Sequence, residues 1–140
     1  LVYSEIVQKY IDVMRSNPSL KEVAAYHFGA PLTIHQYPSI YVQWLGREYS
    51  GRSDLHRFQY NLKFEIGVVM RHAVPEEAEK GLYRLVEAID AALNANPTLD
   101  GLVEGEPEPR SIEVLRGSEQ DYALALARII DVKKVWLPYV

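Results

Sequence analysis

No cysteine occurs among the 140 residues, which excludes disulfides, thiolate metal ligands and cysteine nucleophiles, and fits a reducing compartment. No apolar run approaches the 18 or so residues of a bilayer-spanning helix, so no membrane segment is expected. Positive charge is also short. The 15 Lys and Arg residues face 19 Asp and Glu, a formal net charge of −4. A protein that grips nucleic acid by neutralising phosphates normally carries a basic face, and this balance argues against one. The opening residues read as an amphipathic helix, not as a basic, apolar leader.

Catalytic signatures are just as scarce. Gly101 and Gly105 form neither a P-loop nor a dinucleotide fingerprint, and no residue has the glycine-flanked setting of a hydrolase nucleophile. Four histidines invite a metal or acid–base reading. His27 and His35 lack partners at the short spacings that zinc sites use. His56 and His72 fall at opposite ends of one extended segment. The acids Glu76, Glu77, Glu79, Glu87 and Asp90 sit off the apolar stripe of a helix and read as a solvated face. The expectation is a protein that is not an enzyme, with no cofactor, metal or catalytic residue.

What is present is an unusually long alternation. In the segment from His56 to His72, Phe58, Tyr60, Leu62, Phe64, Ile66, Val68 and Met70 share one parity. Arg57, Gln59, Asn61, Lys63, Glu65 and Arg71 occupy the other, the signature of a strand with one buried and one wet face. At roughly 3.3 Å per residue it would run about 55 Å, against roughly 17–20 Å for an ordinary strand. Such an element either bends, with Gly67 as the bulge position, or reaches past its own core to find cover from other copies. Ten tyrosines point the same way, since tyrosine suits surfaces buried only on association.

Around this segment the pattern predicts a helix over Ser4 to Arg15, with Ser4 as N-cap, and a second short helix capped by Asn17 and ended by Gly29 and Pro31. Its apolar stripe would be Leu20, Val23, Ala24 and Phe28. A strand follows at Pro38 to Leu45, then an exposed loop from Gly46 to Leu55 with no hydrophobic period. The strongest helix opens at Pro75 and buries Ala78, Leu82, Leu85, Val86, Ile89 and Leu93. An acidic connector runs from Thr98 to Pro109. Two strands close the chain, Arg110 to Arg116 and Tyr122 to Trp136, joined by a turn at Gly117 to Asp121, with Asp131, Lys133 and Lys134 marking an exposed end. The order ααββαββ predicts one α+β domain over residues 1–140, a mainly antiparallel four-stranded sheet with helices on one face.

Charge is uneven along this layout. Residues 76–90 and 100–110 each sum to −3, whereas the loop and the end of the last strand are mildly basic. Surfaces of opposite sign on one chain are what head-to-tail association requires. The candidate contacts are Arg47, Tyr49 and Arg52 in the loop and Glu104, Glu106 and Arg110 in the connector.

The N-terminal helix pair, PSIYVQWL, the long strand ending in GVVMRH, PEEAEKGLYRLVEAIDAALNAN and the closing hairpin together resemble the tail terminator (tail-completion, minor tail) proteins of long-tailed bacteriophages and prophages. That resemblance implies a small α+β protein forming a homo-oligomer, a hexameric ring that caps the tail tube and joins it to the head-neck. Its partners would be tail tube and head-neck proteins, with DNA passing through unread and no membrane involved. Its place would be the virion tail, and the host cytoplasm during assembly. The competing expectation is an oligomeric regulatory module that binds a small molecule at a subunit interface.

Overall fold

The computed structural model describes residues 2–105 and 108–139. Its elements are α1 (Val2–Arg15), a 3-10 turn (Pro18–Leu20), β1 (Ala25–Phe28), β2 (Ser39–Ser53), β3 (Arg57–His72), α2 (Pro75–Ala95), β4 (Ser111–Glu119) and β5 (Tyr122–Pro138). The strands form one sheet in the order β1-β2-β3-β5-β4, antiparallel except for the parallel β1–β2 pair.

Both helices lie on one face because each carries a single apolar stripe. Ile6, Val7, Tyr10, Ile11 and Met14 of α1 are buried, as are Ala78, Leu82, Leu85, Ile89, Ala92 and Leu93 of α2. They meet Ile40, Val42, Leu62, Phe64, Ile66 and Val68 from β2 and β3, and the small Ala125 and Ala127 of β5. Pro75 opens α2, and Glu76 and Glu77 occupy its first turn, where the helix dipole favours negative charge. Among the described residues, no helix lies over the other face of the sheet.

The expected class and the one-sided helices are found, but the sheet has five strands, not four. The second helix is a single turn. Asn17 caps it by accepting from the Ser19 amide at 2.9 Å, yet the chain leaves helical geometry after Leu20. Ala25–Phe28 then pair with Ser39–Val42 instead, a parallel partnership that no local pattern announces. Likewise α1 begins at Val2, so Ser4 lies inside the helix.

The stretch expected as a loop is strand. β2 runs on to Ser53, and only the turn around Asp54 separates it from β3. Its hydrophobic period vanishes because this outer half runs past the main core, meeting α1 through Arg47 and Tyr3, and a register shift changes its parity. Register shifts between Trp44 and Gly46 and between Tyr49 and Ser53 place the bulges on β2. Gly67 is not one: it sits in unbroken ladder opposite Tyr41 and Arg128. All sixteen residues of β3 pair with β5, so the long strand finds its in-plane cover inside the chain. The closing turn is also tighter than expected, with Gln120 in the left-handed region between Glu119 and Tyr122.

Asp131 and Lys133 are not an exposed end. They fall on the helix-facing parity of β5 and are 2% and 6% exposed. Asp131 accepts from the Tyr10 hydroxyl at 2.6 Å and from Arg110 at 3.0 Å, while Lys133 donates to the Pro97 carbonyl at 3.2 Å. Buried charges survive when paired and hydrogen-bonded in this way. Burial, with the adjacent Asp131 carboxylate, pushes the Tyr10 hydroxyl well above its usual pKa.

Candidate assembly surface

Beyond the reach of the helices, the β2–β3 hairpin continues as a ribbon with its own side-chain packing. Its turn is held by Asp54, whose carboxylate accepts from the amides of His56 and Arg57 at 2.9 and 2.8 Å and from the Arg57 guanidinium at 2.8 Å. The His56 amide and the other Arg57 contacts keep this exposed carboxyl below its usual pKa. The end of β5 ties the same turn down: the Tyr139 amide donates to the His56 carbonyl at 3.1 Å, and its hydroxyl donates to the Asp54 carbonyl. The hairpin tip is thus braced from within the chain.

The side of the ribbon that continues the helix-covered face carries a row of aromatic rings. Tyr3 of α1 stacks on Trp44 at 3.9 Å, and its hydroxyl accepts from Arg47 at 3.0 Å. The Arg47 guanidinium lies 4.1 Å over the Tyr60 ring, a cation–π geometry. Tyr49 meets Phe58 edge-on at 5.5 Å, and Phe58 packs on Tyr139 at 4.3 Å. Tyr49 and Tyr139 remain about half exposed, and Leu55 at the tip is 86% exposed. The bulge at Leu45 accounts for the placing of Arg47 and Tyr49. It reverses the alternation, so that Arg47 pairs with Leu62 and Tyr49 with Tyr60, on the parity of the core.

The opposite, helix-free face has its own ionic centre. Glu65, 3% exposed, accepts from Tyr41 at 2.5 Å, from Gln43 at 3.1 Å and from Arg128 at 2.6 Å. Burial works against its charge, but these three donors outweigh it and hold the carboxyl below its usual pKa. Burial and the hydrogen bond to Glu65 push the Tyr41 hydroxyl up in turn.

The sequence-predicted contacts separate into two groups. Arg47, Tyr49 and Arg52 all lie on the outer half of β2. Arg47 is engaged by Tyr3 and Tyr60, Tyr49 is half exposed, and the guanidinium of Arg52 has no partner among the described residues. The connector residues are committed elsewhere. Glu104 accepts from Trp136 at 2.6 Å and from Gln59 at 2.8 Å, fastening the connector beside β5. Arg110 binds Asp131, Asp90 and Asn94. Glu106 lies outside the described residues.

Sequence reasoning passed over the rest of the aromatic row (Trp44, Phe58, Tyr60 and Tyr139). The available signal was the tyrosine count together with the parity shared by Phe58 and Tyr60. Among the histidines, His72 accepts the Val74 amide at 2.9 Å and His35 lies 3.2 Å from the Thr33 hydroxyl. Among the described residues, no group of three or more His, Asp or Glu is placed to hold a metal ion. A hollow of about 420 Å³ opens on the sheet between charges of both signs, Arg47, Glu48, Lys63 and Glu108.

No protein family matches the chain, and no curated protein does. Among solved structures it is similar to a chain of the virion of a native gene transfer agent particle, at 14% identity and a TM-score of 0.44, over 94% of this chain and 98% of that one.

Proposed function

We propose that this chain is a virion-assembly protein of a long-tailed phage or prophage, a tail terminator whose copies close into a ring that caps the tail tube. The supporting observation is the outer half of the β2–β3 hairpin. It is braced along β3 by β5, while its β2 edge is left bare and carries half-exposed Tyr49 and Arg52, whose guanidinium has no partner among the described residues. A rigid, partly apolar sheet edge of this kind offers area for association at little ordering cost. The ionisable clusters around Asp131 and Glu65 are satisfied internally, which suits structural roles better than acid–base chemistry.

The test is imaging of the purified protein by negative stain, with mass measurement by light scattering, alone and mixed with tail tubes from the phage or prophage that encodes it. Rings of uniform size, alone or seated on tube ends, are expected, and Arg52→Glu should weaken them without unfolding the chain. Monomers that neither associate nor bind tubes would overturn the proposal.

A further inference from the structure

Among the described residues, β2 beyond β1 and the outer side of β4 are bare stretches of sheet edge, and they lie on opposite sides of the molecule. β1 covers β2 only from Ser39 to Val42. The last bond on that side runs from the Gly29 amide to the Val42 carbonyl at 2.7 Å. From Gln43 to Ser53 the outer edge of β2 has no strand beside it among the described residues. On the far side β4 is the last strand, nine residues with every position but Val114 exposed. Unpaired edges of this kind are templates for another strand. The bulges on β2 blunt its edge against indiscriminate pairing and leave Gly46–Tyr49 as its regular span.

We infer that β4 of one copy pairs with the bare edge of β2 in the next copy, directly prolonging the line of β1 and joining the two sheets. The inference deepens the ring reading and rests on it. Direction is consistent: β2 and β5 run one way and β3 and β4 the other, so copies in the same orientation meet with β4 antiparallel to β2. Charge is consistent as well. Residues 43–53 hold Arg47, Glu48 and Arg52, net +1, and β4 holds Glu113, Arg116 and Glu119, net −1. Pairing β2 with β2 or β4 with β4 would set like against like and leave one edge of every copy bare. The head-to-tail joint uses both of these stretches in every copy. Apolar groups stand ready on each side: Phe28, Trp44 and Tyr3 border a groove beside the bare edge of β2, and Ile112 and Leu115 project from β4.

The absence of cysteine makes the joint testable by site-directed cross-linking of the whole chain. Glu48→Cys on β2 and Glu113→Cys on β4 both point to the helix-free face and are prepared as separate single variants of different tag mass. A short bis-maleimide is then added to each alone and to the mixture. The expected result is a covalent dimer containing one copy of each variant, formed only in the mixture. The double variant should give a ladder of higher multiples. Cross-links within either single variant would overturn the inference in favour of two-fold pairing. Oligomers that form but never cross-link would overturn it while leaving the ring reading intact. A chain that stays monomeric alone and with tubes would overturn both.

Discussion

Gly67→Ala tests the helix-free face most sharply. A Cβ at this position would fall 1.8 Å from Cε2 and 2.1 Å from Cζ of the Tyr41 ring, which lies flat over the glycine from the neighbouring strand. The ring has to leave, and its hydroxyl then loses the 2.5 Å bond to Glu65. A hydrogen bond to a charged group contributes about 1.5–3 kcal/mol, and the displaced ring gives up further contacts. Replacing glycine within a strand recovers about 0.5–1 kcal/mol of backbone entropy. The net expectation is a loss of about 2–3 kcal/mol, or a melting temperature lower by roughly 6–12 °C for a chain of this size. The assay is thermal and urea unfolding of wild type, Gly67→Ala, Tyr41→Ala and the double variant. All three atoms nearest the added methyl belong to the Tyr41 ring, so Gly67→Ala should cost little or nothing in the Tyr41→Ala background. A coupling near 2 kcal/mol follows. Equal destabilisation in both backgrounds would refute the steric argument.

Asp131→Ala leaves Lys133 buried without its counter-charge, takes one of two carboxylate partners from Arg110 and the acceptor from the Tyr10 hydroxyl, and should cost about 3–5 kcal/mol in urea unfolding; a loss below about 1 kcal/mol would show the cluster to be solvated. Glu65 has a folded pKa below its unfolded value. Its contribution is therefore complete above that value and disappears as pH falls through the lower folded one. Melting curves from neutral to strongly acid pH should show this loss in the wild type, with a shallower acid decline for Glu65→Gln. Gly81→Ala faces only the flexible Met70 methyl at 2.3 Å, and alanine favours the helix by about 1 kcal/mol. It should be neutral or slightly stabilising, and destabilisation beyond about 1 kcal/mol would mean that Met70 cannot swing aside.

In α2 and on the core-facing side of β3 the layout was legible from periodicity. The α2 stripe and the alternation of β3 translate directly into buried faces, because burial imposes the period that the residues display. Where the core does not reach, the signal fails. The outer half of β2 has no period because it runs past the main core, and a bulge at Leu45 inverts its parity midway. β1 was misread as helix because its partner is fourteen positions downstream, whereas the capping residue Asn17 is next door. Asp131 and Lys133 looked like surface because residue type alone cannot show that Tyr10, Arg110 and Pro97 supply partners from distant positions. For the candidate contacts, tyrosine and arginine content pointed to the β2 stretch. The internal engagement of Glu104 and Arg110 depends on side chains as far off as Gln59 and Asp131, and no local pattern records it.

The unbroken run of sixteen rungs between β3 and β5 also sets how the body answers a pull. Tension applied along those two strands is shared by every rung at once, so the long axis is the stiff direction of the particle. Across that axis the fabric is uneven: β1 hangs on four rungs and β4 on nine. Load arriving sideways therefore parts β1 first, while the central pair and the two helices resting on it stay whole.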